Sequence, residues 1–200
     1  LQWLGNNERF YVSRTSRDLK KIDLCAMDIK IGEPKVLIEE RLNTYVETKR
    51  PGLINEGKEI IHWSERDGWG HFYLYDEEGK LKNAITTGAF HCEDIEEIDE
   101  KNRILYFTAN GREAGEDPYY LHLYRVNFDG SNLKLLNPGD YDNSNNMDDG
   151  AKYFVNNYSR VNTAPKSVLF DNAGRKILDM ETTDLSRLGE AGYKFPQPFK

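Results

Sequence analysis

The sequence is short of most features that assign a protein quickly. Cysteine is nearly absent: Cys25 and Cys92 stand far apart with no C-x-x-C spacing, which argues against both a disulfide scaffold and a paired-thiol metal or redox site. Each sits in an alternating apolar run and reads as a buried free thiol. No stretch approaches the roughly 18 uninterrupted apolar residues of a membrane span. Cations are outnumbered, 27 Lys and Arg against 34 Asp and Glu for a net charge of −7, so nucleic acid and anionic membranes are excluded as natural partners. The four histidines, His62, His71, His91 and His122, lack metal-ligand spacing such as H-E-x-x-H. Neither metal nor cofactor is expected. None of the eight serines lies in G-x-S-x-G, the strained turn that exposes a hydrolase nucleophile. The chain therefore carries no catalytic residues for acyl transfer. What it does have is aromatic side chains, 12% of 200 residues, which places the acidity on a folded surface rather than in a disordered chain.

Period-2 patterning dominates. Short β-rich runs occur at 10–13, 21–27, 36–39, 60–64, 71–75, 82–86, 103–108, 120–126, 133–136, 152–158, 166–170 and 175–179, separated by Gly, Asn and Asp turns. One strand class begins at Phe10, Ile60, Ile104 and Phe154, spaced by 50, 44 and 50 residues, and the next at Lys20, Gly70, Tyr119 and Lys166, spaced by 50, 49 and 47. Polar turns before each first-class strand imply a fourth, innermost strand per repeat. Four antiparallel strands at a period near 40 to 50 residues is the pattern of β-propeller blades. The fold expected is all-β: four four-stranded blades over 1–181, with repeats at roughly 1–40, 41–88, 89–137 and 138–181. A β-sandwich lacks this regular punctuation. A short helix over 183–191 and a proline-fixed linker complete 182–200. Four blades form half of a larger ring, so the chain is expected to lack its natural start, to continue past Lys200, and to self-associate through exposed blade faces. Asp140 to Asn145 mimics a calcium loop but lacks its glycine and its closing Glu, so it reads as a blade connection.

Specific residues carry a resemblance. Trp63-Ser64-Glu65-Arg66-Asp67-Gly68-Trp69-Gly70-His71-Phe72-Tyr73-Leu74-Tyr75-Asp76 resembles a blade of the dipeptidyl peptidase IV branch of the prolyl oligopeptidase family. Ile85-Thr86-Thr87-Gly88, Leu105-Tyr106-Phe107-Thr108-Ala109, Leu121-His122-Leu123-Tyr124-Arg125-Val126 and Phe195-Pro196-Gln197-Pro198-Phe199 resemble further strands and the crossing into a hydrolase domain. The resemblance implies a serine exopeptidase built from an eight-bladed propeller and an α/β-hydrolase domain, cleaving N-terminal dipeptides after Pro or Ala. It implies a periplasmic or secreted enzyme whose missing propeller half and hydrolase domain are partners of this segment. The family's amino-group-binding glutamates are expected upstream of Leu1. Glu39-Glu40, Glu77-Glu78 and Glu96-Glu97 do not sit in that motif and read as solvated pairs.

Three sets of residues remain as gating candidates. Arg66, Asp67 and Trp69 form a loop in which an Arg beside an aromatic suits recognition, while the Asp-Gly turn also suits plain backbone geometry. Arg50, in Lys49-Arg50-Pro51, falls where the resemblance places an Arg-bearing pocket loop. Glu93, Glu96 and Glu97 lie on an inner strand, and acid lining a channel would draw cationic peptide N-termini. The expected role is a non-catalytic gate that orients peptide substrate. The rival is a free-standing propeller that binds protein or polysaccharide.

Overall fold

The computed structural model describes residues 2–3 and 8–197. Among the described residues, sixteen strands form four antiparallel sheets, each a simple meander in chain order. The first holds β1 (Gln2–Trp3), β2 (Arg9–Thr15), β3 (Lys21–Asp28) and β4 (Pro34–Arg41); the second holds β5 (Gly52–Ile54), β6 (Glu59–Ser64), β7 (His71–Asp76) and β8 (Leu81–Ala84). The third holds β9 (His91–Asp99), β10 (Ile104–Asn110), β11 (His122–Asn127) and β12 (Lys134–Leu135), and the fourth holds β13 (Asp142–Met147), β14 (Tyr153–Arg160), β15 (Thr163–Asp171) and β16 (Lys176–Thr182). Helix α1 (Ser186–Glu190) follows. Its start is marked by Asp184, whose Oδ1 accepts the Ser186 N–H at 2.9 Å. The chain divides into two compact units: residues up to Gly88 with Phe128–Ser131, and Ala89–Asn127 with Asn132 onward. The two cysteines are free and buried.

Burial explains the patterning. In β6 and β7 every residue from Ile60 to Ser64 and from His71 to Tyr75 is buried, as is Leu105 to Ala109 in β10. These runs read as continuous apolar stretches because both faces of a middle strand are covered. The outermost strand of the fourth sheet, β16, is exposed along its whole length. In the first unit Tyr11, Leu24, Ile38, Ile60, Tyr73 and Tyr75 share a core; in the second Tyr106, Leu123, Leu136, Met147 and Phe154 do.

The turn between the last two strands of each sheet is built alike. Asp28, Asp76, Asp129 and Asp171 each accept, through Oδ1, the backbone N–H two residues on, at 2.8, 3.1, 2.9 and 3.0 Å. An Asp side chain that mimics the turn's own backbone bond fixes the hairpin locally. Gly79 in the second of these turns has φ +84° and lies directly against the Leu37 backbone of β4.

One sequence expectation is overturned. Of Asp140 to Asn145, read as a blade connection, the residues from Asp142 on belong to strand β13, the innermost strand implied for this repeat, paired with β14 from Asp142↔Ser159 to Met147↔Phe154. Asp-Asn-Ser-Asn-Asn has poor strand propensity, but tertiary partners decide here. Asn143 Nδ2 donates to the Leu121 carbonyl at 2.8 Å and Asn156 Nδ2 donates to Asn143 Oδ1 at 3.0 Å, so amides that favour turns in isolation satisfy neighbouring strands instead.

Candidate functional site

The first unit contains a buried carboxylate. Glu40 in β4 is only 7% exposed, which corrects the reading of Glu39-Glu40 as a solvated pair: alternation along β4 turns Glu39 outward and Glu40 inward. Its Oε1 accepts from His62 Nε2 at 3.1 Å and from Arg66 Nη2 at 2.6 Å, and its Oε2 accepts from Ser64 Oγ at 2.9 Å. Burial pushes the Glu40 carboxyl up, but His62 and then Arg66, through hydrogen bonds and charge, outweigh it and hold the group below its ordinary value. A serine, a histidine and an acid thus meet, yet not as a hydrolytic triad. Ser64 and His62 both donate to the acid, so the hydroxyl is tied to a carboxylate and no imidazole base takes its proton. The cluster is structural.

Arg66 and Asp67 belong to the same construction. The Arg66 guanidinium lies 4.5 Å from the Tyr73 ring centroid and 5.7 Å from that of Tyr75, and Tyr73 Oη donates to Asp67 Oδ2 at 2.7 Å. Burial, then the Asp67 bond, raises the Tyr73 phenol well above its ordinary value. The second unit repeats the brace. Arg112 lies 5.4 Å from the Tyr124 centroid, and Tyr124 Oη donates to Glu113 Oε1 at 3.0 Å. A basic–acidic pair after the second strand, clamped by a tyrosine of the third, is therefore a blade feature. Trp69 is 45% exposed and shares the solvent-facing side of the loop with Arg66, Asp67 and Gly68.

Arg50 lies elsewhere in this unit, in a cleft of about 220 Å³ bounded by Gln2, Tyr11, Ser13, Leu24 and residues 48–51. Strands β1 to β3 supply one side, and the segment leading into β5 supplies the other. Tyr11 is fixed by donating from Oη to the Gly57 carbonyl at 3.2 Å. Lys49 stands 5.8 Å from the Trp63 ring centroid and 3.6 Å from Glu47 Oε1, whereas Arg50 is exposed. Gln2 Oε1 is buried without a hydrogen-bond partner among the described residues. The cleft can offer a guanidinium fork and an amide to a carboxylate, a carbonyl or a backbone N–H.

Glu93, Glu96 and Glu97 lie on β9, which pairs with β10 and, among the described residues, forms one edge of the third sheet. All three are half-buried. Burial, with Asp94 close by, raises the Glu96 carboxyl. His71 and His122 open β7 and β11 and are buried pins. His71 Nδ1 meets Thr86 Oγ1 at 3.0 Å, and His122 Nε2 donates to Glu116 Oε2 at 2.8 Å. No group of three or more His, Cys, Asp or Glu is placed to hold a metal ion among the described residues. Sequence reasoning missed Glu40; the only available signal was its position out of phase with Glu39 on a strand.

Four-stranded meanders with a shared turn chemistry and a repeated brace define a β-propeller segment. The sequence model of the dipeptidyl peptidase IV (DPP IV) N-terminal region matches residues 1–165, and the chain belongs to that family. It is 27% identical over 146 residues to dipeptidyl peptidase 4 of Arthroderma otae, covering 68% of this chain and 17% of that protein. It is 27% identical over 150 residues to a probable dipeptidyl-aminopeptidase B of Arthroderma gypseum, covering 66% and 16%. Among solved structures, Porphyromonas gingivalis dipeptidyl peptidase 4 superposes with a TM-score of 0.77 at 21% identity over 92% of this chain and 26% of that one. A putative dipeptidyl aminopeptidase IV from Bacteroides ovatus gives 0.76 at 21%, over 90% and 28%. The chain thus spans about a sixth of those relatives and about a quarter of those structures.

Proposed function

We propose that this chain is the non-catalytic propeller segment of a serine dipeptidyl aminopeptidase that removes N-terminal dipeptides after Pro or Ala, and that it gates and orients the peptide. The observation that carries the reading is the family match across residues 1–165, in a chain with no G-x-S-x-G. A domain without a nucleophile still lowers a barrier when it holds substrate in a reactive pose. In this reading Arg50 is the substrate contact, supported by its exposed place in a cleft with two hydroxyl side chains, Ser13 and Thr48. Glu93, Glu96 and Glu97 attract the cationic N-terminus. Trp69 is an exposed surface contact, while Arg66 and Asp67 serve the blade. The hydrolase domain and the remaining blades are its intrachain partners, and the enzyme is periplasmic or secreted. The isolated chain self-associates, a reading supported by exposed Ile177, Leu178 and Met180 on β16; a monomer by light scattering would remove that part.

Hydrolysis of a Gly-Pro chromogenic dipeptide tests the whole reading. The full-length parent should cleave it and this chain should not; a parent without activity would overturn the proposal. In the parent, Arg50→Ala should raise KM by about tenfold with kcat little changed, the loss of one charge-assisted contact made equally in ground and transition states. An unchanged KM would take Arg50 out of the site. Replacing Glu93, Glu96 and Glu97 together by Gln should lower kcat/KM by about tenfold at low salt and less at high salt; equal values at both would remove the steering role.

A further inference from the structure

The second unit holds a pocket that the peptidase reading does not use. It has a volume of about 110 Å³, with a floor of Asn137, Asn143 and Asn156 and walls that include Tyr141, Tyr158 and Phe170. The three amides are buried, and their hydrogen bonds can be followed to the end. Asn143 Nδ2 donates to the carbonyls of Leu121 and Tyr141 at 2.8 and 2.7 Å, and its Oδ1 accepts from Asn156 Nδ2 at 3.0 Å. Asn137 Oδ1 accepts the Leu123 N–H at 2.8 Å, and its Nδ2 donates to Asn145 Oδ1 at 3.1 Å. Two amide ends of the cluster are left over: Asn145 Nδ2, on the residue paired with Asn156 across β13 and β14, and one end that lines the pocket. Asn156, only 3% exposed, keeps Oδ1 without a partner among the described residues. Beside it the Tyr141 and Tyr158 rings stand 5.0 Å apart at 55°. Arg160, which lies over Tyr141 at 5.5 Å, is engaged with the Asp140 carboxylate.

We propose that this pocket binds a small neutral hydroxyl-bearing ligand, a polyol or one edge of a sugar ring, whose O–H donates to Asn156 Oδ1 while its carbon face lies on the tyrosine rings. A buried acceptor with no donor costs free energy, so the site selects a group that can donate to it. An anion could accept from Asn145 Nδ2 but would leave Asn156 Oδ1 bare, whereas a hydroxyl can donate to the one and still accept. A cation would be stripped of water with no carboxylate among the lining residues. Aromatic faces complete the match, because they take C–H surface while the amide fixes the hydroxyl. At about 30 Å³ per water the space equals three to four waters, which admits a three-carbon polyol, or a ring by one edge.

The test uses the full-length parent and two probes, glycerol and methyl α-glucopyranoside, followed by saturation-transfer NMR with tetramethylammonium and acetate as charged controls. Both neutral probes should show saturable transfer, and the controls none. Asn156→Leu, which removes the acceptor at similar volume, should weaken binding by about tenfold or more. Tyr158→Ala, which leaves the amide network intact, should weaken the glucoside more than glycerol. Gly-Pro hydrolysis should be unchanged in both variants, so the pocket and the peptidase reading stand or fall separately. Absence of saturable transfer from both probes, binding indifferent to both substitutions, or crystals grown in glycerol that show only an ordered water on Asn156 would each overturn the assignment.

Discussion

Gly79→Ala is expected to destabilise the first unit by about 2–5 kcal/mol, seen as a fall in Tm of about 5 °C or more. Two costs combine. Gly79 has φ +84°, a left-handed conformation that L-residues adopt only at a penalty. A Cβ there would also stand 2.1 Å from the Leu37 carbonyl oxygen and 2.7 Å from the Leu37 Cα. Those are backbone atoms of β4, which cannot rotate away as a side-chain tip would, so the turn or the strand must move. Gly68→Ala separates the two costs. Gly68 has φ +89° but nothing within 4 Å of the added carbon, so it should lose only the conformational part, about 1–2 kcal/mol. Equal losses at the two positions by thermal unfolding would mean that the Leu37 contact contributes nothing. Gly174, with a Cβ 2.7 Å from the Leu136 carbonyl oxygen, should fall near Gly79, because the same turn recurs in the fourth sheet.

Glu40→Ala is the second large effect, about 3 kcal/mol, because it strips the acceptor from His62 and Ser64 inside the blade and leaves Arg66 without its counter-charge. The value sits at the lower end for a broken buried pair since the Arg66 side chain is 30% exposed and water can replace part of the loss. The pH dependence has a definite sign. The native Glu40 carboxyl is held below its ordinary value of 4.5, so the unfolded chain takes up the proton first. Glu40 therefore contributes stability that is present above about pH 4.5 and is lost as pH falls through the lower native value. Glu40→Gln keeps the shape and removes the titration, so its stability should be lower at neutral pH but flatter between pH 5 and 3. A denaturant series across that range reads both; an acid limb as steep in the Gln variant as in the parent would show that other carboxylates carry it.

The extent to which the sequence disclosed this molecule follows from the range of the interactions involved. Twelve strands were visible because two local rules act along them: alternation where one face is covered, as in the first half of β14, and unbroken apolar runs where both are, as in β6 and β10. The Asp and Gly turns were visible for a similar reason, since an Asp that accepts the N–H two residues on needs no distant partner. Helix α1 was legible but shorter than expected, its start displaced from 183 to Ser186, within the fraying common at helix ends.

The functional candidates were legible as residues but not as roles. Arg66, Asp67 and Arg50 are all basic or acidic residues within two positions of a Gly or Pro, and nothing within a few positions distinguishes a brace from a free side chain. The difference lies in Tyr73, Tyr75 and Glu40, which reach Arg66 from other strands, and in the cleft wall that Tyr11 and Leu24 raise opposite Arg50. By itself the sequence determined a repeating antiparallel β architecture, its period, its turns, the lack of a G-x-S-x-G motif and the family, because each depends on short-range pattern or on motif order. Only the tertiary structure decided that Glu40 is buried, that Asp142–Met147 is a strand, and that three asparagines close into a pocket with one acceptor to spare. In each case the deciding partner lies on another strand, beyond the range over which sequence pattern acts.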